Sequence, residues 1–277
     1  MIVLIELTYR FITSVPRTTS VNLDLDFDKV SHRIQNFISS YVLQASSNGL
    51  IIGLSGGLDS SVVLKLCVNA LGTSRVIGLM MPSDKTPQED TDHAIELAKK
   101  LGIKYHMIDI NAVLDKYGQA LPENKRARGN LMARIRMNIL YYYAGINCYL
   151  VAGTSDKSEL CMGYFTKFGD GAADIMPIAH LYKTQVRALA KHLGIPNVIV
   201  EKKSSPRLWD NHLAEEEIGM DYEMIDTILN MLVDRKLSLN DVARKIKIST
   251  TQVNKISSLM KRNLHKRTPI PISQLKT

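Results

Sequence analysis

Four short apolar runs alternate with helical patterns along the first part of the chain, and this alternation constrains the fold most. Each run is short enough for a single buried strand; they cover residues 49–54, 76–81, 105–110 and 149–152. Apolar residues recur at helical spacing over 28–43, 60–71, 88–101 and 132–144. Strands that alternate with helices predict a parallel sheet with helices on both faces. We therefore expect a doubly wound α/β fold that binds ligands at the carboxyl ends of its strands.

After Pro196 the strand signal fades and the pattern becomes helical. Helical spacing covers residues 225–232, 239–246 and 250–264. We therefore expect three parts, namely an N-terminal extension, an α/β domain and a segment that ends in a small helical C-terminal region, over residues 1–26, 27–200 and 201–277.

The charge of the chain is unevenly distributed. The 277 residues include 35 Lys and Arg against 27 Asp and Glu, for a formal net charge of +8. Residues 235–277 alone contain eleven basic residues and one acidic residue, Asp241. A basic balance suggests a polyanionic partner, such as nucleic acid, a membrane surface or a phosphorylated small molecule. Composition does not choose among these three.

Cysteine usage and hydropathy indicate the compartment. Cys67, Cys148 and Cys161 are too few and too scattered for a disulfide framework or a zinc site. Each lies in an apolar run, so we expect small buried side chains. No apolar run approaches the roughly 20 residues that cross a bilayer, and the opening run at 1–5 has no basic residue before it and is followed by Glu6. A cytoplasmic protein without a membrane segment is expected.

The loop after the first strand reads Gly-Leu-Ser-Gly-Gly-Leu-Asp-Ser-Ser over residues 53–61. Its glycines let backbone N–H groups approach an anion, the next helix adds its positive end, and Ser55, Ser60 and Ser61 offer hydroxyls. A Walker A loop would have a lysine at the helix start, where this chain has Asp59. A carboxylate there suits Mg²⁺ that bridges phosphate oxygens. The purely structural alternative is a glycine turn with an aspartate cap.

Polar residues also follow the fourth strand. Thr154 offers a hydroxyl and Glu159 a carboxylate at the sheet edge where Asp59 is expected, so Glu159 is a second candidate Mg²⁺ ligand. Further along the chain, Lys167 and Lys183 are suitable partners for phosphate. A single lysine is more often a solvated surface charge, so these two depend on their context.

The sequence Ser-Gly-Gly-Leu-Asp-Ser at 55–60 resembles the loop of the N-type ATP pyrophosphatases, which have an adenine nucleotide alpha hydrolase-like, Rossmann-like fold. These enzymes split ATP between its α- and β-phosphates, and AMP activates a carboxylate or carbonyl oxygen. The loop alone leaves several members open: synthetases that make NAD, GMP, asparagine or argininosuccinate, and tRNA-modifying enzymes.

Further segments make the chain similar to the NAD synthetases over about residues 28–271. After G-T-S-D-K-S-E at 153–159, residues 163–174 read G-Y-F-T-K-F-G-D-G-A-A-D. Residues 129–137 fit the family's G-N-x-x-A-R-x-R-M helix, and residues 265–267 fit its C-terminal H-K-R element. Because several independent matches occur in the family's order, the resemblance is specific.

The resemblance implies a role for each matching residue. ATP would be bound by the loop and by three residues beyond it: Gly53, Leu54, Ser55, Gly56, Gly57, Leu58, Asp59 and Ser60, with Thr154, Lys183 and Ser205. Deamido-NAD would be bound by Arg134, Lys167, Asp174, His265 and Lys266. The implied Mg²⁺ ligands are Asp59 and Glu159, and the implied catalytic residues are Asp59, Lys183 and Thr154.

The implied activity is the ATP-dependent amidation of deamido-NAD to NAD. The nicotinate carboxylate attacks the α-phosphate of ATP and releases pyrophosphate, and ammonia then displaces AMP from the adenylate. The stretch before the first helix is too short for the glutaminase domain of glutamine-dependent members, so ammonia is the expected donor. The family also implies a homodimer with the dinucleotide near the subunit interface.

One segment departs from the family. The lid commonly reads K-P-P-S-A-G-L-W-x-G-Q-T-D-E, where this chain has residues 202–215. Ser205 still aligns with the Ser or Thr that contacts ATP. The proline has moved, Arg207 replaces a small residue, and the G-Q-T-D element is absent. The only tryptophan, Trp209, either covers the site or packs in the small domain.

Two alternative functions stay open. Residues 239–256 look like a helix-turn-helix in a basic context, as in a DNA-binding protein. The family resemblance favours two packed helices with a solvated basic face, so we expect no nucleic-acid partner. The second alternative is a tRNA-modifying or sulfur-transferring ATP pyrophosphatase. Persulfide chemistry would need a reactive cysteine near the site, and Cys161 lies on the right segment.

Overall fold

The computed structural model describes residues 25–209 and 212–273, so the expected N-terminal extension lies almost entirely outside the described residues. Four strands in these ranges pair in parallel: β1 Leu50–Gly53, β2 Val76–Met80, β3 Lys104–Met107 and β4 Leu150–Ala152. Their order in the sheet is β3-β2-β1-β4. The two crossovers from β1 to β2 and from β2 to β3 run outward in one direction, and the chain then returns to the other side of β1 to form β4.

Helices connect the strands and make up the C-terminal region. They are α1 Phe27–Gln44, α2 Leu58–Leu71, α3 Gln88–Leu101, α4 Asn111–Ala120, α5 Lys125–Asn147, α6 Lys157–Met162, α7 Lys183–His192, α8 Asn197–Val200, α9 Ala214–Ile218, α10 Tyr222–Leu229, α11 Leu239–Ile246, α12 Thr250–Arg262 and α13 Leu264–Arg267. A π-helical turn over Asn230–Asp234 follows α10.

The central strand β1 is apolar because both of its faces are covered. Leu50 and Ile52 belong to a core that also takes in buried residues of α1, α2, α3 and α7. Ile51 points to the other face and packs in a second core with residues of α4 and α5. Helices therefore cover both faces of a parallel sheet, and the prediction of a doubly wound α/β fold is confirmed.

The C-terminal helices have a core of their own. Buried residues of α10, α11 and α12 pack together with Cys161 and Met162 of α6 and with Tyr182. Asp226 of α10 joins this core to the sheet region, because it accepts a hydrogen bond from Ser158 Oγ at 2.5 Å and from the Thr184 N–H at 2.8 Å. The helical region thus stabilises the first turn of α7 directly.

Element boundaries agree with the sequence patterns where the apolar periodicity is strong. The helices predicted over 88–101 and 239–246 begin and end at those residues. The third strand was expected over 105–110 and covers Lys104–Met107 instead. The strand ends at Met107 because the chain then turns into α4. The N–H groups of Ile108 and Ile110 still donate to the carbonyls of Met80 and Pro82. The sequence patterns do not predict α4, α6 and α7.

The expected burial of every cysteine is wrong for Cys148. Cys67 and Cys161 are buried, whereas Cys148 is exposed. Cys148 ends α5 in the left-handed conformation, with φ of 54°, and its N–H bonds to the carbonyls of Ala144 and Gly145. It therefore occupies a capping position at the surface rather than the start of the strand. No described helix combines the length and apolar character that a membrane span needs.

Gly56 holds the loop after β1 against α3. Its φ is +71°, and a Cβ on it would lie 1.8 Å from the Asp90 carbonyl oxygen. Gly102 has a similar φ of +70°, but nothing lies within 4 Å of its would-be Cβ. We expect Gly56→Ala to lower the free energy of unfolding by roughly 2 to 4 kcal/mol, because overpacking adds to the left-handed strain, and Gly102→Ala to lower it by about 1 kcal/mol. Urea denaturation measures both, and equal losses would contradict the tight packing at Gly56.

Candidate active site

A cavity of about 820 Å³ opens at the carboxyl ends of β1, β2 and β4. Its size falls in the range of small-molecule sites, roughly 300–1,000 Å³. The walls come from the loop 53–60, helix α5, the segment 163–170, the lid, helix α9 and the C-terminal helices. The loops that the sequence marks as chemical therefore meet at one edge of the sheet, as expected for a parallel sheet.

The loop after β1 is braced by its own hydroxyls. Ser55 Oγ accepts a hydrogen bond from the Gly57 N–H and lies 3.1 Å from Ser60 Oγ. Ser60 Oγ donates to the Gly57 carbonyl at 3.1 Å. Ser61 donates to the same carbonyl at 2.8 Å, is buried and does not line the cavity. The expectation that Ser61 faces a phosphate is therefore wrong, because its hydroxyl is used to hold the helix start.

The start of α2 is open for an anion. Gly57 occupies the N-cap position, and no side chain caps the helix. The first-turn N–H groups therefore keep their capacity to donate, and the helix dipole favours negative charge there. Asp59 lies inside the first turn rather than at the cap, so the interpretation of this residue as a simple helix cap is wrong.

One buried ammonium joins the two loops at the sheet edge. Lys183, the first residue of α7, has a side chain that is 0 % exposed. Its Nζ lies 2.7 Å from Asp59 Oδ2, 3.0 Å from Asp156 Oδ2 and 2.9 Å from Glu159 Oε1. Asp59 follows β1, whereas Asp156 and Glu159 follow β4. A buried ammonium needs such partners, because an unpaired one would cost several kcal/mol.

The charges in this cluster do not balance. Burial opposes the charge on Lys183, but the three carboxylates outweigh it and hold the Lys183 pKa well above its ordinary value. Burial raises the pKa of Glu159 and of Asp156, and the Lys183 ammonium works in the opposite direction. If all three carboxylates were ionised around one ammonium, negative charge would be in excess, and a further cation would offset it.

The residues present fit Mg²⁺ bound together with a nucleotide. Asp59 Oδ1 is buried and has no hydrogen-bond partner, and both Asp59 and Glu159 line the cavity. Within residues 25–209 and 212–273, no group of three or more His, Cys, Asp or Glu side chains could hold a metal ion by itself. Mg²⁺ commonly takes one or two carboxylates and completes its shell with water and substrate phosphates. Asp59 and Glu159 are the residues that would hold it.

The lid is fastened to α3 through a buried carboxylate. Lys202 Nζ lies 2.6 Å from Asp90 Oδ1 and donates to the Gly56 carbonyl at 3.2 Å. Arg207 Nε donates to Asp90 Oδ2 at 2.8 Å. Ser205 lines the cavity, and its hydroxyl donates to the His212 carbonyl. Arg207, which stands where the family has a small residue, thus adds a second ion pair that closes the lid over the nucleotide loop.

A second polar cluster lines the same cavity. His212 Nε2 lies 2.7 Å from Glu217 Oε2, which also accepts a hydrogen bond from Tyr164 OH at 2.6 Å. Trp209 lines the cavity and stacks on His212, with ring centroids 3.5 Å apart. Partial burial works to raise the Glu217 pKa, but the hydrogen bonds from Tyr164 and His212 hold it below its ordinary value. Of the two possibilities for Trp209, the structure shows the one in which it covers the site.

The residues implied for the dinucleotide are only partly brought together. Lys266 lines the cavity and donates to two backbone carbonyls of the segment 163–165, at 2.7 Å each. Arg134 is exposed on α5 and donates to the Lys167 carbonyl, and Lys167 Nζ donates to the His265 carbonyl. Arg134, Lys167 and His265 therefore lie next to each other but outside the cavity of the single chain.

Asp174 lies apart from the cavity, beside the last strand. Its Oδ2 accepts a hydrogen bond from the Val151 N–H at 2.7 Å, and Tyr141 OH donates to its Oδ1 at 3.3 Å. Burial, together with the nearby Asp174 charge, raises the pKa of Tyr141 to about 12. In the single chain Asp174 thus positions the start of the loop after β4, and its role toward deamido-NAD stays a prediction.

Some functional residues are missing from the sequence-based set. Asp156 caps α6 by accepting a hydrogen bond from the Glu159 N–H, and the Asp-x-x-Glu pattern of a helix start was a signal for it. Tyr164, His212 and Glu217 give no such signal, because Tyr164 is distant in sequence from the other two and meets them only in the folded chain.

The fold and this cavity define a doubly wound α/β nucleotide-binding protein whose phosphate loop carries a carboxylate where a Walker loop has a lysine. Residues 30–270 match the family described as NAD synthase. An NH3-dependent NAD+ synthetase from Hyperthermus butylicus is 48 % identical over 252 residues, which make up 90 % of this chain and 91 % of that protein. The chain therefore belongs to the NAD synthase family.

Solved structures agree with this assignment. An NMN synthetase from Francisella tularensis is 34 % identical, with a TM-score of 0.81, and the match covers 91 % of this chain and 100 % of that one. An NH3-dependent NAD synthetase from Campylobacter jejuni, in complex with nitrate, is 31 % identical, with a TM-score of 0.78 and coverage of 90 % and 100 %.

A substitution of Lys183 tests whether its ammonium holds the buried cluster together. In buffer without Mg²⁺, we expect Lys183→Met to lower the free energy of unfolding by about 3 to 5 kcal/mol, because it leaves three carboxylates without their shared cation. Lys191→Met, at an exposed position of the same helix, should change it by less than about 0.5 kcal/mol. Urea denaturation measures both variants, and similar values for the two would show that Lys183 does not hold the cluster together.

Proposed function

We propose that this chain catalyses the ATP-dependent amidation of deamido-NAD with ammonia, which gives NAD, AMP and pyrophosphate. The observation that carries the proposal is that Asp59 and Glu159, which line one cavity, are both held by the buried Lys183 in a chain that belongs to the NAD synthase family. Similar relatives at 42–48 % identity are described as NH3-dependent NAD+ synthetases. The chain spans nearly the full length of these relatives, which supports the same activity here.

The first step joins two anionic substrates. The free N–H groups at the start of α2 would bind the triphosphate, and Thr154 would present its hydroxyl from the end of β4. Lys183, which holds Asp59 and Glu159, would place a positive charge near the phosphates. Mg²⁺, when bound by Asp59 and Glu159, would neutralise phosphate charge and stabilise the leaving pyrophosphate. No side-chain nucleophile is needed, because the substrate carboxylate attacks the α-phosphate itself.

The second step needs an enclosed adenylate. The lid, fastened by Asp90 to Lys202 and Arg207, covers the cavity together with Trp209. Exclusion of water protects the activated acyl group from hydrolysis until ammonia reaches it. Catalysis in this proposal comes mainly from positioning and from fixed charges.

We also propose that the protein is a homodimer that acts in the cytoplasm. Along α5, Arg134, Asn138, Tyr142 and Ile146 are exposed on neighbouring positions of the helix. Tyr142 is 69 % and Ile146 63 % exposed, which is unusual for large apolar side chains. A second copy packed on α5 would cover them and bring its own cavity close to Arg134. Three free cysteines suit a reducing compartment.

The alternative functions have less support. In the helix-turn-helix segment, Val253 and Ile256 of α12 are buried in the helical core, and Lys255, Leu259 and Arg262 line the cavity, so the second helix is not free to enter a DNA groove. Persulfide chemistry at Cys161 is disfavoured, because this thiol is buried, does not line the cavity, and has its pKa raised by burial to about 11.

The proposed function is tested with purified protein, Mg²⁺, ATP, ammonium and deamido-NAD. We expect NAD, AMP and pyrophosphate in equal amounts. A parallel reaction offers nicotinic acid mononucleotide, because one structural neighbour is described as an NMN synthetase. Asp59→Asn should reduce turnover by at least about 100-fold without loss of secondary structure, whereas Asp115→Asn, exposed on α4, should not change it. Folded, Mg²⁺-loaded protein that forms no NAD would refute the proposal.

The dimer has a separate test. Tyr142→Glu places a charge at the centre of the exposed apolar face of α5, so we expect a monomer in sedimentation equilibrium. If Arg134 serves the partner's cavity, the KM for deamido-NAD should rise by about tenfold while the KM for ATP stays unchanged. Val198→Glu, at an exposed apolar position of α8, is the matched control and should remain a dimer. A Tyr142→Glu dimer with an unchanged KM would exclude this face as the interface.

A further inference from the structure

The polar cluster in the lid contains a buried imidazole that belongs to none of the residue sets implied by the family. The side chain of His212 is only 3 % exposed. Its Nε2 lies 2.7 Å from Glu217 Oε2 and 3.3 Å from Tyr164 OH. His212 lies in the part of the lid where the G-Q-T-D element is absent.

The hydrogen bonds assign the proton on the imidazole. Glu217 Oε2 accepts from Tyr164 OH, and an ionised carboxylate can only accept, so Nε2 of His212 carries the proton that it donates to Glu217. In the neutral ring, Nδ1 then has the free lone pair. Nδ1 is buried and has no hydrogen-bond partner, although buried polar atoms are nearly always paired. The orphaned nitrogen therefore points to a partner that arrives with the reaction.

The cluster belongs to the cavity in which the reaction is expected. His212, Tyr164 and Glu217 line the same cavity as Asp59 and Glu159. The Tyr164 N–H donates to the Glu159 carbonyl at 2.9 Å, so the cluster begins one hydrogen bond from a predicted metal ligand. An imidazole with one nitrogen on a carboxylate and the other free has the arrangement of a general base.

We propose that His212 is the base that takes a proton from ammonium in the second step; this inference rests on the proposed function. Ammonium transfers one proton to Nδ1, which leaves NH3 and an imidazolium paired with Glu217. The nitrogen lone pair of NH3 attacks the acyl carbon of the adenylate, the C–N bond forms, and the acyl C–O bond breaks with its electron pair leaving on AMP. The nitrogen loses one more proton to water, and the imidazolium then returns its own proton to water.

Charged groups surround the cluster. Glu217 of α9 lies directly against Nε2, and the charges of Glu159 and Asp170 act on Tyr164 beside it. The opposing charges are Arg126, which acts on Glu217, and Lys125, whose Nζ lies 5.1 Å from the Trp209 ring centroid. Of these groups, the Glu217 carboxylate is in direct contact with the imidazole, at 2.7 Å. Glu217 and Tyr164 act as positioning residues, because they reach the substrate only through His212.

Replacing ammonium by another nucleophile tests whether His212 transfers a proton or only supports the structure. Hydroxylamine is largely neutral at pH 7, so it needs no base before it attacks. With ammonium at pH 7, we expect His212→Gln to lower kcat/KM for the nucleophile by about 100-fold, within the usual range for loss of a general base. With hydroxylamine the loss should stay below about threefold. Glutamine keeps a donor for Glu217, so it is the conservative variant. Glu217→Gln should show the same pattern with a smaller loss.

The pH profile provides a second kinetic criterion. In His212→Gln, the rate with ammonium should rise about tenfold per pH unit between pH 6 and 8, in proportion to free NH3, because no protein base replaces the imidazole. The wild-type rate should rise less steeply over the same interval. ATP–pyrophosphate exchange that depends on deamido-NAD should be unchanged in the variant. Loss of that exchange in the wild type would instead refute the proposed function, so the two failures are distinguishable.

Equal losses of kcat/KM with ammonium and with hydroxylamine would show that His212 has a structural role only, and would overturn the proposal.

Discussion

The ammonium of Lys183 is the constraint on which the site depends. It is fully buried and is held by carboxylates that follow two different strands, so the loops after β1 and β4 are fixed relative to each other by a single side chain. Lys183 is also the first residue of α7, whose first turn is held by Asp226 from the helical region. A charge inside the molecule thus determines how the sheet and the C-terminal helices are arranged around the cavity. A metal ion bound here would compete with this ammonium for the carboxylates of Asp59 and Glu159.

The basic surplus of the sequence has a structural explanation in part. Lys255, Arg262 and Lys266, from the basic stretch near the end of the chain, line the cavity. These cations line the same cavity as Asp59 and Glu159, which two anionic substrates would have to enter. The positive electrostatic potential of these side chains raises the local concentration of anions, even where no side chain contacts a particular phosphate. Nucleotides, rather than nucleic acid, are the polyanions that such an enclosed arrangement suits.

The sheet and the nucleotide loop could be predicted from the sequence because both are encoded locally. Apolar runs such as 49–54 and 76–81 specify buried strands by themselves, and the glycines beside Asp59 specify an open helix start. Cys148 shows the limit of this reasoning, since an apolar neighbourhood did not indicate that the residue caps a helix at the surface. Ser61 shows the same limit. The motif suggests that its hydroxyl can bind phosphate, whereas in the fold this hydroxyl donates to the Gly57 carbonyl.

The polar networks could not be predicted, since their members are distant in sequence. Asp90 meets Lys202 and Arg207 only after α3 and the lid have packed together. No periodicity or short motif encodes such a contact, and the lid is also where the chain departs from its family. Arg207 is an example. In the sequence, an arginine in place of a small residue looks disruptive, but in the fold it forms an ion pair with the buried carboxylate of Asp90.

The exposed position of Cys148 has a consequence for the chemistry of the protein. The thiolate is the form of cysteine that reacts with thiol reagents. Burial raises the pKa of both Cys67 and Cys161, so neither thiol will react readily in the folded state. Cys148 precedes β4, at the end of the sheet opposite the cavity. A maleimide would therefore modify one defined surface point among the described residues and leave the cavity unobstructed.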